Sequence, residues 1–434
     1  MPRWLLALLL STAPACATPA WGGPLPESAA GRRAIRGAPV EVVHESDELR
    51  ALREFDEASF PRPLPGLPST SPSPSPSDDT ATASIRRTSL GGVGPDAIPS
   101  TLRSPEQGLV KPIETPSAIP WLAEIKLPDL PVRLDARVVR YLEFYKSDRR
   151  GRAIMTSWLK KEGRWKPLFE DALRRAKLPL GLVYVSMIES GFDPLDRSHA
   201  GAVGLWQFMP EGGRIYGLRN DYWIDERRNP EKATAAFVHY IADLKERFGA
   251  WPLTLAAFNA GYGAVLRAMQ KYNTNDYWEL CKHEDGLPWE TTLYVPKAMA
   301  VAIVGENKKL FGYDDVVPDP PYAFDRVTVP SSTSVAAVAK AAGVSAAEIA
   351  ALNPELRRGR TPPEPWPARV PRGAGARFAA NQNAHREMVK PFVVRFGERL
   401  DDLARAYGAT AKELRAINGI DDASEVRPGL TLLV

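Results

Sequence analysis

Two cysteines in 434 residues leave no disulfide framework to hold a fold together. One of them, Cys16, sits at the end of an export-type leader, so Cys281 has no intrachain partner in a processed chain and reads as a semi-buried structural thiol. The five histidines are scattered and form no HExxH or comparable pair, which argues against a zinc amidase or zinc peptidase. His239 falls within an apolar stripe and reads as a packed or surface side chain. No metal and no cofactor are expected. A formal charge of +4, with an isoelectric point of about 8.9, is too mild for nucleic-acid binding, although it suits attraction to an anionic polymer. The N-terminal apolar run, WLLALLL, is too short to cross a membrane as a helix.

That run follows Met1-Pro2-Arg3 and precedes STAPACA, the layout of a secretory signal peptide over residues 1–17. Ala15-Cys16-Ala17 fits small-x-small cleavage, giving a mature chain from Thr18; the alternative is cleavage before Cys16 and its lipidation, which would anchor the chain to the outer membrane. Either way a periplasmic or cell-envelope location is expected. The 41 prolines are concentrated, and residues 18–119, with PRPLPGLPSTSPSPSPSDD at their centre, read as a disordered Pro/Ser-rich tether with too little apolar surface to fold. Within them EVVHESDELRALREFDEASF (residues 41–60) has the pattern of one amphipathic helix that docks at an unidentified place.

With 25% charged and 44% hydrophobic residues there is material for a sizeable core plus accessory modules. Residues 120–318 show helical spacing throughout and no alternating strand, so a compact bundle of short helices is expected. Helices are predicted over 134–146 and 153–165, from Pro167 to just before Pro179, and over 230–248, where Asn229 caps the start and Gly249 the end. The fold class is mainly α, with small α+β units behind the helical domain.

The bundle is organised around residues 182–210, LVYVSMIESGFDPLDRSHAGAVGLWQFMP. Leu182, Val185 and Ile188 recur at helical spacing, and Glu189 ends that stripe instead of lying on a polar face. A carboxyl among apolar neighbours has its charged form disfavoured, its pKa rises, and it can serve as a general acid at neutral pH. Alone, Glu189 reads equally as a helix-end carboxylate. Ser198, Gln207 and Met209 follow it, and AFNAGYG and ETTLYV add Asn259, Tyr262 and Tyr294. Asn259 reads as a helix cap or as an amide donor to a bound ligand. Tyr294 reads as a core tyrosine or a partner of Glu189. Of the nearby aromatics, Tyr262 is the one expected to stack on a ligand.

In order and spacing this set resembles the soluble lytic transglycosylase family, the goose-lysozyme-like group of murein-cleaving enzymes, over about 180 residues. The resemblance implies a lysozyme-like fold with Glu189 as acid and base. It makes Ser198, Gln207 and Met209 groove residues, and Asn259 and Tyr294 polar partners of the substrate or of Glu189. Trp206 and Phe258 stand where the common pattern has Met and Tyr; both resemble the membrane-bound type D subgroup. Asp193, Asp196 and Glu211 read as solvated, so only one good catalytic carboxyl is found where two usually flank a glycosidic bond. The resemblance implies why one suffices: the sugar's own C6 hydroxyl attacks C1, giving a 1,6-anhydro product. A water-using lysozyme of the same fold, or a scaffold without catalysis, remains open at this point.

Beyond residue 318 a repeat appears. VAKAAGVSAAEIAALN (residues 338–353) aligns without gaps to LARAYGATAKELRAIN (residues 403–418), each with a Ser/Thr-x-x-Glu capping box and a terminal Asn, between short alternating strands. These strand-helix-helix-strand units, over 322–373 and 390–434, resemble the LysM module. That resemblance implies binding to peptidoglycan strands through N-acetylglucosamine. The first copy has the loop RRGRTPPEPWP in place of the usual approach to its last strand and reads as degenerate.

Overall fold

The structure, a computed structural model, describes residues 45–60, 62, 119–385, 387 and 389–434; Cys16, the expected leader and most of the expected tether lie outside the described residues. The amphipathic segment forms helix α1 (Asp47–Ser59), capped by Ser46, whose hydroxyl accepts the Leu49 amide. Its buried face carries Leu52 and Phe55, and Phe55 stacks on Phe144 at 3.8 Å. α1 thus docks on the first two helices of the bundle, α2 (Ala136–Ser147) and α3 (Arg149–Arg175).

α3 corrects one expectation: it runs through Pro167 as a single helix where the sequence suggests a break. The ring removes one donor, but the buried stripe of Trp158, Trp165, Phe169 and Leu173 is continuous across it, and tertiary packing outweighs the local cost. Gly163, four residues earlier, lets the 318–322 segment lie against the helix, with the Asp319 amide donating to the Lys160 carbonyl and Tyr322 to Arg164.

A 3-10 turn, Leu180–Tyr184, leads into the short helix α4 (Val185–Ser190) at the heart of the bundle. Around it pack α5 (Pro210–Ile215), α6 (Pro230–Phe248), α7 (Trp251–Ala260), α8 (Tyr262–Tyr272), α9 (Tyr277–Leu280) and α10 (Trp289–Glu306). The Asn229 side chain caps α6 by accepting the Glu231 and Lys232 amides, and Gly249, at φ 72°, ends it. α10 is buried almost all round and contains Pro296. The Thr292 carbonyl that Pro296 cannot reach accepts instead from the Arg137 guanidinium and the Tyr277 hydroxyl, each at 3.0 Å.

The two repeats fold alike. In the first, β1 (Phe324–Val329) pairs antiparallel with β2 (Trp366–Pro371), Phe324 opposite Pro371, around α11 (Val335–Ala342) and α12 (Ala346–Leu352). A further helix, α13 (Gly375–Asn381), packs on α11. The second has β3 (Pro391–Val393), α14 (Leu400–Ala406), α15 (Ala411–Asn418) and β4 (Thr431–Leu433). Both capping boxes are formed. The repeated Asn has one job in both copies: Asn353 exchanges hydrogen bonds with the Arg369 backbone of β2, as Asn418 does with Leu433 of β4, clipping the second helix to the last strand.

The bundle and the first repeat are joined by backbone. The Asp225 amide donates to Glu355 and the Arg357 amide to Trp223, and Trp223 and Ile224 enter the repeat's own core. Buried Arg369 pairs with Glu355 and with Glu231 of α6, each at 2.9 Å. The second repeat is reached through Tyr222, whose hydroxyl donates to the Asn418 carbonyl, and through Arg358, which lies over the Tyr222 ring and pairs with Glu425.

Candidate active site

α4 is only six residues long and its position is fixed by its two serines. Ser186 and Ser190 both donate to the Leu205 carbonyl, at 2.7 and 3.1 Å, tying the helix to the GLWQFMP loop. Gly191 ends α4 in the left-handed region at φ 56°, where a Cβ would press on the Trp158 indole. Glu189, one residue before the buried Ser190, is left half-buried with part of its surface open.

The Tyr294 hydroxyl of α10 donates to Glu189 Oε1 at 2.6 Å. Burial pushes the Glu189 carboxyl up to about 7, against the opposing pull of the Tyr294 hydrogen bond and the Lys297 ammonium. Burial and the neighbouring Glu189 charge likewise raise the phenol of Tyr294 well above its ordinary range. The pair is therefore a protonatable carboxyl held by a phenol that stays neutral.

The loop facing α4 is held from within. Gly204 sits at φ 84°, and a Cβ there would overlap the Arg227 carbonyl. Buried Arg227, paired with Asp225, donates to the Gly201 and Phe208 carbonyls at 2.9 and 3.0 Å. Gln207 adopts φ 46°, and its amide nitrogen donates to the Asp196 and Gly204 carbonyls at 3.2 and 3.0 Å. Its nitrogen is thus engaged inside the loop. Ser198 is half-buried and its hydroxyl accepts the Ala202 amide at 3.0 Å, closing the 198–202 turn. Met209 is 46% exposed at the head of α5.

From the far side, Asn259 lies exposed near the end of α7, and its Oδ1 accepts from the Thr291 hydroxyl of α10 at 2.8 Å. α10 therefore engages both Glu189 and Asn259 through residues three apart. Tyr262 opens α8 behind Gly261, which has φ 85°; its ring is half-buried against Phe248, with Arg247 at 5.3 Å. Trp206 and Phe208 are core: Trp206 stacks on Phe237 at 3.7 Å and donates to Thr234.

Asp196 is the correction. Where the sequence suggests a solvated loop residue, it is 3% exposed, and burial with the Asp193 charge pushes its carboxyl up to about 7. Its Oδ1 has no partner among the described residues, and Glu189 lies close enough for the two charges to oppose each other. The cause is long-range: the Gly204 amide and the Gln207 side chain both bind the Asp196 carbonyl and draw the turn inward. No signal in the PLDRSH segment announces this.

The transglycosylase SLT domain family matches residues 167–281; the family described as lytic transglycosylase MltD, LysM-like domain matches 323–387; and the LysM domain family matches 392–434. Membrane-bound lytic murein transglycosylase D of Escherichia coli strain K12 is 31% identical over 283 residues, which are 60% of this chain and 61% of that protein; its counterpart in E. coli O6:H1 strain CFT073 gives the same values. This chain thus matches less than two thirds of the length of these relatives. The 70 kDa soluble lytic transglycosylase of E. coli shares 19% identity at a TM-score of 0.29, over 44% of this chain and 38% of that one. Residues 167–281 are thus similar to transglycosylase SLT domains, residues 323–387 to the MltD-type LysM-like domain, and residues 392–434 to LysM domains.

Proposed function

We propose that the protein is a peptidoglycan lytic transglycosylase that cleaves the β-1,4 bond between N-acetylmuramic acid and N-acetylglucosamine and leaves 1,6-anhydro-muramic ends. The observation that carries this reading is the Glu189 carboxyl, enclosed enough to hold a proton near neutral pH, oriented by Tyr294 and still reached from one side. Protonated Glu189 gives its proton to the glycosidic oxygen as the bond from muramic C1 breaks. The C6 hydroxyl of the same sugar then bonds to C1, and the Glu189 carboxylate takes that hydroxyl's proton, so the acid is regenerated and no water is consumed. An internal nucleophile has a large effective molarity, which substitutes for one held by the enzyme.

In this reading Ser198, Gln207 and Met209 border the cleaved linkage, Asn259 offers its amide NH2 to a sugar substituent, and Tyr262 presents a ring face. The catalytic unit spans residues 120–318. The LysM-type modules, 322–373 and 390–434, hold the enzyme on the glycan. An N-terminal leader and the Cys16 site suit a protein working in the periplasm, exported and, if Cys16 is lipidated, anchored at the outer membrane.

A second reading, hydrolysis, is favoured by one observation: buried Asp196 is a second carboxyl, near enough to Glu189 for their charges to oppose each other, where a base for water is wanted. Mass analysis of digested murein separates the two. Transglycosylation predicts anhydro ends, one water lighter than the reducing ends that hydrolysis leaves. Glu189→Gln is expected to abolish both products, and a variant that still cleaves would remove Glu189 from the acid's role.

A further inference from the structure

α10 carries, one helical turn after Tyr294, a lysine that the reaction as described does not use. Lys297 is almost enclosed, and its ammonium pairs at 2.6 Å with Asp56 Oδ2 of α1; the other oxygen, Oδ1, accepts the Tyr141 hydroxyl at 2.6 Å. Residues three apart on a helix share a face, so Lys297 stands on the side from which Tyr294 reaches Glu189. Its charge is near enough to stabilise the Glu189 carboxylate. We propose that Asp56 is a positioning residue for the acid: it holds the Lys297 ammonium away from the Glu189 carboxyl. The proposal rests on Glu189 being the acid.

The chemistry favours a competition. A lysine stem is long and flexible, and its ammonium takes the nearest carboxylate that offers good geometry. With Asp56 in place, two hydrogen-bonded partners fix that carboxylate inside the α1–α2–α10 junction. Without it, Glu189 is an acid on which the Lys297 charge already acts, and an ammonium paired with Glu189 would strip the proton that cleavage needs. One charge beside Glu189 opposes this: Asp196, from the turn after α4, repels a carboxylate at Glu189. α1 reaches that turn too, with Glu45 and Ser46 beside Asp196. Tyr240 of α6 faces Tyr294, and Tyr145 of α2 faces Asp56; both are neutral phenols pushed upward by burial. α1 is separated in sequence from the rest of the bundle by residues 61–118, so the acid's electrostatics depend on a piece that docks from outside.

The test is the pH dependence of kcat/KM for anhydro-product release from purified glycan strands. It compares the full-length enzyme with Asp56→Asn, Lys297→Met and the double variant, with Glu189→Gln as the control. Asp56→Asn is expected to move the alkaline limb down by about one pH unit and so to lower the rate above that limb roughly tenfold. Adding Lys297→Met is expected to return the limb to the wild-type position or above it. A merely structural Asp56 would scale the whole profile down with the limb in place and gain nothing from Lys297→Met, and that result overturns the proposal. Activity surviving in Glu189→Gln would overturn the acid assignment itself, a separate outcome read in the same assay.

Discussion

Glu189 works, in this account, because its proton is expensive to remove. Tyr294→Phe deletes a hydrogen bond that favours the carboxylate, so the alkaline limb of the pH profile is expected to rise while kcat falls about tenfold or more through lost orientation. The same burial has a stability consequence whose sign is fixed. The folded carboxyl sits at about 7 against 4.5 unperturbed, so the folded chain keeps a proton that the unfolded chain releases, and stability falls as pH rises from 4.5 through 7. Glu189→Gln removes that penalty and keeps an acceptor for Tyr294. Thermal or urea denaturation should show the variant gaining on wild type by about 3 kcal/mol more at pH 8 than at pH 4. Glu189 is legible in the sequence because it interrupts an apolar stripe. Asp196, Asp56 and Lys297 are not: their burial and pairing are made by contacts 8, 85 and 241 residues away, which no local pattern carries.

At the scale of elements, the helices with strong periodicity and caps are where their spacing puts them, α6 being the plainest. Pro167 misleads because local propensity is a weak prior against a buried face that continues on both sides. The repeats are readable to the capping box, since Ser345/Glu348 and Thr410/Glu413 carry short-range chemistry that needs no tertiary context. α13 follows β2, outside the stretch over which the two copies align, so the repeat does not point to it. Two substitutions probe the loop and the repeat. Gly204→Ala combines a left-handed backbone with overlap on the Arg227 carbonyl and is expected to cost roughly 3 kcal/mol in denaturation, with loss of cleavage because the loop tied to α4 shifts. Asn418→Ala leaves the β4 Leu433 amide unsatisfied in a buried position and should destabilise the last module by about 1–3 kcal/mol without changing the chemistry of the bundle.

Across the whole molecule, the two modules are not attached alike. The first shares backbone hydrogen bonds, a core and the Glu231–Arg369–Glu355 cluster with the bundle, whereas the second meets the bundle mainly through Tyr222. Breaking a buried ion pair from one side leaves an uncompensated charge, so Arg369→Met should lower the stability of bundle and first module together, by about 3 kcal/mol or more. Removal of residues 392–434 should leave a single cooperative unfolding transition and reduce only retention on insoluble murein. The sequence shows the order of modules but not this asymmetry, because Tyr222, Trp223 and the Asp225 backbone find their partners in Asn418, Arg357 and Glu355, more than 100 residues away.

The central claim is that Glu189 carries a proton near neutral pH while resting against Tyr294. It is tested most directly by titrating that carboxyl, by carbon-13 NMR or infrared difference spectroscopy of wild type against Glu189→Gln. A midpoint near 7 is predicted, and one near the unperturbed 4.5 would contradict the account.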